Sequence, residues 1–434
     1  MENTISDLAG LPCDLVNCIG SRLDVLARIR FRAVCRSWRA ALPAGSVTWS
    51  FPLVVLPALP NRDLALPLDR SVVDSCGNTS STSALALHIV VDPKRRSCVG
   101  SRGVWLAVAD SESVIRLVNA LTLQEAACLP PLPCPWVPGS TSRTSYNIRD
   151  HENVIHKVAF SVKPPSAPGS GSGYAHSAAA LHRATTGKGD GLELLFTRAR
   201  WDHQKRGKPT TRYRYPCCSM DGHFDVAYYQ KSGVYYVVTP PGSVWVLDIS
   251  APVPTLEPLV RCHESLGEPT LSERRHLVVL PDPDNGGGHS LSKPMYLVMI
   301  NDESEQPQQH RVVVHKYTAE ESWRPVSHLR GRALLISTRA QSVLKLPTAA
   351  SPPWLRPDCV YWMNGYENSS LRESLREGTS PVWRFHLPTK ITQRFLRRQE
   401  QLEEDYYWLD WHNSLWLSTP SLTQLSCHPS STCN

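Results

Sequence analysis

No run of about 18 uncharged apolar residues occurs in these 434 residues, which excludes a transmembrane helix. The most apolar stretch, residues 51–59, is short and holds Pro52 and Pro57. No dense Lys/Arg block with interleaved aromatics accompanies the formal charge of +7, so no nucleic-acid partner is expected. None of the 13 cysteines forms a CxxC pair, and a structural zinc site needs two close ligand pairs. Cys217 and Cys218 are merely adjacent, and Cys128 and Cys134 fall in a Pro-rich turn, so free buried thiols are the expectation. Residues 1–10 carry Glu2 and Asp7 and no apolar stretch of signal length, which argues against a secretory leader.

Catalytic signatures are also missing. The 16 histidines include no HExxH, no GxSxG elbow occurs, and residues 169–173 (GSGSG) lack the GK[ST] ending of a phosphate loop. Asp282, Asp284 and Asn285 look like the start of a calcium loop but have no downstream Glu. The sequence therefore predicts no catalytic residue, no metal and no cofactor.

What is present divides into two kinds of pattern. Residues 8–45 read as a small helical module. Pro12 suits a first helical turn and Asp14 the positive end of the helix dipole. Leu15, Ile19 and Leu23 follow at spacings of four, forming one apolar stripe. A second periodic set is Phe31, Val34, Cys35, Trp38 and Leu42, stopped by Pro43 and Gly45. So small a unit buries little by itself and calls for a partner surface.

From residue 50 to 434 the pattern changes. Short runs rich in Val, Tyr, Trp and Leu alternate with Pro/Gly/Asp turns, for example residues 154–162, 234–239, 295–300, 311–317 and 359–362. No intervening segment carries a sustained helical period, and 36 prolines fit loop-rich β structure. The expectation is an all-β domain, either a β-propeller or a large sandwich. Residues 163–191, rich in Pro, Ser and Gly at their start, read as a flexible insertion. The tryptophans 201, 245, 323, 354, 362, 383, 408, 411 and 416 read as core packing rather than a binding face.

The run Leu11-Pro12-Cys13-Asp14-Leu15 with Ile19 and Leu23, followed by residues 31–39 (FRAVCRSWR), closely resembles the F-box. Residues 156–161 (HKVAFS), 225–229 (DVAYY), 233–238 (GVYYVV), 242–248 (GSVWVLD), 329–334 (LRGRAL) and 357–362 (PDCVYW) resemble, in that order, the KIB-type β-propeller of plant F-box proteins. The resemblance implies a small all-α F-box module followed by a β-propeller. It implies docking on a Skp-type adaptor and through it a cullin, recruitment of a protein substrate for ubiquitination, and a nuclear or cytoplasmic home. The adaptor-facing candidates are Leu11, Pro12, Leu15, Ile19, Leu23, Val34, Cys35 and Trp38, some of which must instead form the module's own core. The alternative is a non-degradative F-box protein that sequesters its partner. Neither the substrate nor its contact residues follow from the sequence.

Overall fold

The computed structural model describes residues 11–22, 31 and 34–42 near the N-terminus, then a series of strands and turns between residues 53 and 417. The chain divides into two compact units, residues 1–52 with 419–434, and residues 53–418.

In the first unit, helix α1 (Cys13–Arg22) begins directly after Pro12. The Pro12 carbonyl accepts the Val16 N–H at 3.1 Å, and Asp14 sits in the first turn. The short helix α2 (Arg36–Ala41) is capped by Cys35, whose extended backbone turns its Sγ to accept the Trp38 N–H at 3.5 Å. Phe31 stacks on Trp38 with ring centroids 4.1 Å apart. Val16, Gly20, Ala41 and Leu42 are buried and form the unit's own small core. Gly20 lets the helices approach, since a Cβ there would lie 2.3 Å from Leu42 Cδ1.

The second unit is a β-propeller. Blade 1 runs β3 (Arg96–Arg102), β4 (Trp105–Asp110), β5 (Ile115–Asn119) and β6 (Glu125–Cys128). Blade 2 holds β7 (Ile155–Val162), β8 (Tyr174–Thr186), β9 (Gly189–Arg200) and β10 (Thr211–Arg214). Blade 3 is β11 (Asp225–Tyr229), β12 (Val234–Val238), β13 (Val244–Asp248) and β14 (Thr255–Val260). Blade 4 is β15 (Glu273–Val279), β16 (Met295–Asn301), β17 (Arg311–Tyr317) and β18 (Trp323–Pro325). These four are antiparallel meanders.

Blade 5 departs from them. Its strands are β19 (Arg332–Ile336), β20 (Gln341–Lys345), β21 (Cys359–Met363), β22 (Val382–His386) and β23 (Ile391–Arg394), in the order β20-β19-β21-β22-β23. β19 and β21 pair in parallel, so the innermost strand is the second in sequence, not the first. A three-stranded sheet of β1 (Leu53–Val55), β2 (Ala65–Pro67) and β24 (Leu415–Leu417) joins the two ends of the unit and closes the ring. Around the axis β3 neighbours β7, β7 neighbours β11, β11 neighbours β15, and β15 neighbours β20. β24 lies beside both β20 and β3.

The core lies between blades rather than within one. Leu117, Ile155, Phe160 and Leu195 fill the space between blades 1 and 2. Val226, Tyr235, Leu194 and Phe196 fill that between blades 2 and 3. Met295, Leu297, Tyr236 and Val244 pack blades 3 and 4 together, and Ile300, Leu334, Val360 and Trp362 pack blades 4 and 5. Trp323, Trp362 and Trp383 are buried as core packing predicts, while Trp245 is half-buried. Side chains of the other tryptophans expected to pack lie outside the described residues.

The reading of residues 163–191 as an insertion needs correction. Residues 163–173 lie outside the described residues, but Tyr174–Thr186 and Gly189–Arg200 are β8 and β9, paired as one long hairpin. Ala178, Ala179, Ala180 and Leu181 are fully buried against the neighbouring blades. Small side chains with low strand propensity are held there by packing, which overrides local preference.

At one point two inner strands nearly touch. β3 carries a register shift between Cys98 and Gly100, and a Cβ on Gly100 would stand 2.1 Å from the Val158 carbonyl oxygen. The obstacle is backbone, so it cannot swing aside. Gly100→Ala is therefore expected to lose about 2 kcal/mol or more, the usual cost of overpacking, read as a lower urea midpoint.

Two buried imidazoles tie stability to pH. Burial holds His176 on β8 and His315 on β17 below the ordinary 6.5, with Arg275 adding to the effect at His315. The unfolded chain then takes up protons that the folded chain refuses. Stability is full above pH 6.5 and is lost as the pH falls toward the folded values. The loss is at most about 1.4 kcal/mol per pH unit for each histidine. Urea midpoints measured from pH 7.5 down to 5 are expected to fall less steeply in His176→Gln/His315→Gln than in wild type.

Candidate functional site

The helical unit separates the candidates that periodicity had grouped. On α1, Val16 and Gly20 face inward, while Leu15 is 51% and Ile19 42% exposed. Leu15 and Ile19 are one helical turn apart and share one stripe of the α1 surface, while Leu11, half-buried, lies two residues before the helix begins. Pro12 is exposed, and Val34, at the approach to α2, is 62% exposed. Cys35 and Trp38 are half-buried, one as the cap of α2 and the other stacked on Phe31. Leu23 lies outside the described residues. Leu42, grouped by period with Val34 and Trp38, is instead core.

Apolar side chains this exposed in so small a unit are poorly placed for stability and well placed for a partner. The hydroxyl of Ser37, 3.0 Å from Cys35 Sγ, and the Trp38 N–H both favour the thiolate and hold the Cys35 thiol below its usual range.

The propeller axis holds a polar cluster to which no sequence motif pointed. Asp225, the first residue of β11, is fully buried and contacts Lys157 of β7. Its carboxylate also accepts the Val226 N–H at 2.7 Å, the Leu277 N–H of β15 at 2.7 Å, and Gln341 Nε2 of β20 at 2.8 Å. Gln341 Oε1 in turn contacts Lys157, and His276 Nδ1 lies 3.9 Å from Asp225. Burial pushes the Asp225 carboxyl up and the Lys157 ammonium down, and their contact opposes both shifts. Nearby, Ser161, Ser177 and the Tyr235 hydroxyl form a buried chain at 2.8 and 2.7 Å, with burial raising the Tyr235 phenol. Every member of these groups is held by others in the same group, which is the mark of structural pins rather than of a reaction centre. Among the described residues no cluster of three or more His, Cys, Asp or Glu could hold a metal ion. No described helix is long and apolar enough to cross a membrane.

Comparison with known proteins gives the class first. The F-box domain family matches residues 8–42. The KIB1-4 beta-propeller family matches residues 74–382, more than half of the chain, and the protein belongs to that family. A protein of Arabidopsis thaliana named as an F-box protein is 39% identical over 64 residues, 14% of this chain and 18% of the relative's length. No solved structure matches. F-box and propeller families are characteristically non-catalytic adaptors and receptors.

Proposed function

We propose that the protein is a substrate-receptor subunit of an SCF-type ubiquitin ligase. The exposed Leu15–Ile19 stripe of the F-box docks a Skp-type adaptor, itself bound to a cullin, and the propeller recruits a protein substrate for ubiquitination in the nucleus or cytoplasm. The observation that carries this reading is an exposed apolar stripe on the F-box of a chain whose remaining bulk is a propeller. Ubiquitin chemistry belongs to the other subunits. The receptor contributes proximity, raising the concentration of a captured substrate beside the conjugating enzyme.

The test is to purify the full chain with its adaptor, identify proteins captured through residues 53–418, and follow their ubiquitination in the reconstituted ligase. Adaptor binding with ubiquitination of the captured partner is the expected result. Adaptor binding with a partner that stays unmodified would favour sequestration, and no adaptor binding would remove the ligase reading altogether.

A further inference from the structure

One edge of blade 5 presents cations in a fixed row. Three turns meet there: residues 328–331 before β19, residues 355–358 before β21, and residues 387–390 between β22 and β23. Asp358 ties them together. Its N–H donates to the Arg332 carbonyl at 2.7 Å, its carbonyl accepts the Leu387 N–H at 3.0 Å, and its carboxylate accepts the Leu329 N–H. His328 Nδ1 lies 4.0 Å from the same carboxylate. The one described acid of this edge is thus only 20% exposed and already engaged.

Arg330, Arg356 and Lys390 are exposed around it, and no carboxylate among the described residues forms an ion pair with any of them. Arg330 and Lys390 hold left-handed backbone, at φ 55 and 54, where bulky side chains are uncommon. Asp358 does the same at φ 58. Gly or Asn would sit there with less strain, so two cations held in this backbone conformation on one rim point to use rather than to folding. Ile391, 50% exposed, adds an apolar contact beside Lys390.

The order β19-β21-β22-β23 sets the cations along the sheet edge. Neighbouring strands are about 4.8 Å apart, so the row from Arg330 to Lys390 spans roughly 10–15 Å. Carboxylates on alternate residues of an extended chain recur about every 7 Å, which fits such a row. A single phosphate would need the cations to converge on one point.

We propose that this edge of blade 5 binds an extended, acidic segment of the recruited protein, with carboxylates meeting Arg330, Arg356 and Lys390. The proposal rests on the receptor reading of the propeller and adds the class of segment it takes. Because the three turns are tied by Asp358, little ordering is required on binding. Attraction across an exposed rim is screened by salt.

The probe is a synthetic peptide with Glu at alternate positions, titrated by fluorescence anisotropy into the full chain in complex with the adaptor. Expected is salt-sensitive binding that weakens at least tenfold in Arg330→Asn/Arg356→Gln/Lys390→Asn. Thermal stability should be unchanged, since Asn accepts left-handed backbone. A second triple variant, Arg311→Gln/Lys316→Gln/Arg324→Gln on blade 4, removes the same charge elsewhere and should bind as wild type does. Equal loss in both variants would mean diffuse attraction and overturn the site. No binding of the Glu peptide, or binding only of a version with phosphoserine replacing Glu, would overturn it too. Adaptor retention in the same samples reads the F-box separately, so failure at the propeller edge is distinguishable from failure of the ligase reading.

Discussion

Leu15→Ala combined with Ile19→Ala is expected to weaken adaptor binding by at least a hundredfold while the chain stays folded. Both side chains are largely exposed, so their removal costs the unit little, and Ala is the best helix former. At an interface, truncating an anchor costs about 2 kcal/mol, roughly thirtyfold. The two are one helical turn apart and share a partner surface, so the combined loss falls somewhat short of the product. Leu11→Ala/Pro12→Ala should act in the same direction, because the two residues lead directly into α1 and the Pro12 carbonyl makes its first helical hydrogen bond, to the Val16 N–H.

Val16→Asp is the contrasting control. Val16 is 1% exposed, so a carboxylate there breaks the core rather than the docking face. It should abolish binding together with the helical unit's own structure. The measurement is calorimetry or surface-based binding with purified adaptor, with circular dichroism on the same samples. If Leu15→Ala/Ile19→Ala binds as wild type does, the exposed stripe is not the docking surface, whatever the family match at residues 8–42.

The two halves of the fold were unequally legible. Strands such as β16, β17, β19 and β21 announce themselves, because β-branched and apolar residues run between turn residues and pack on both faces in the finished propeller. β8 does not, since its alanines carry no strand preference and only contact with the neighbouring blades selects the extended form. β3 and β20 are polar inner strands, with Arg96 and Arg102 in one and Gln341 in the other, and carry no clear strand pattern. In the F-box, periodicity found the helices but not which apolar side faces inward. Leu15 and Val16 are adjacent and equally apolar, and the choice between them is made by where Leu42 returns against Gly20. The axial cluster was invisible for a different reason. Lys157 and Gln341 are 184 residues apart and Lys157 and Asp225 are 68 apart, so only the ring brings them together. The one local clue was a charged residue inside each apolar run, Lys157 in HKVAFS and Asp225 at the head of DVAYY.

That cluster yields the largest stability effect expected of any single substitution outside the hydrophobic core. The Asp225 carboxylate joins the inner strands of four blades, through Lys157, its own Val226 N–H, Leu277 N–H and Gln341. Asp225→Ala strands a buried ammonium with Gln341 Oε1 as its remaining partner in the cluster, and removes the acceptor of two backbone N–H groups. Breaking a buried pair from one side costs about 3–5 kcal/mol, a large part of a stability of about 5–15 kcal/mol.

Lys157→Met should cost less, because the carboxylate keeps three N–H donors that favour its charge. Its penalty should also shrink on acidification. The folded carboxyl is raised by burial, so the folded state gains a proton before the unfolded state does, and stability attributable to this group increases as the pH falls through its folded value. Denaturant midpoints for both variants at pH 7.5 and pH 5.5 test the ordering. Equal losses for the two, or a Lys157→Met penalty that grows in acid, would show that the four-strand junction is not held by the Asp225 carboxylate.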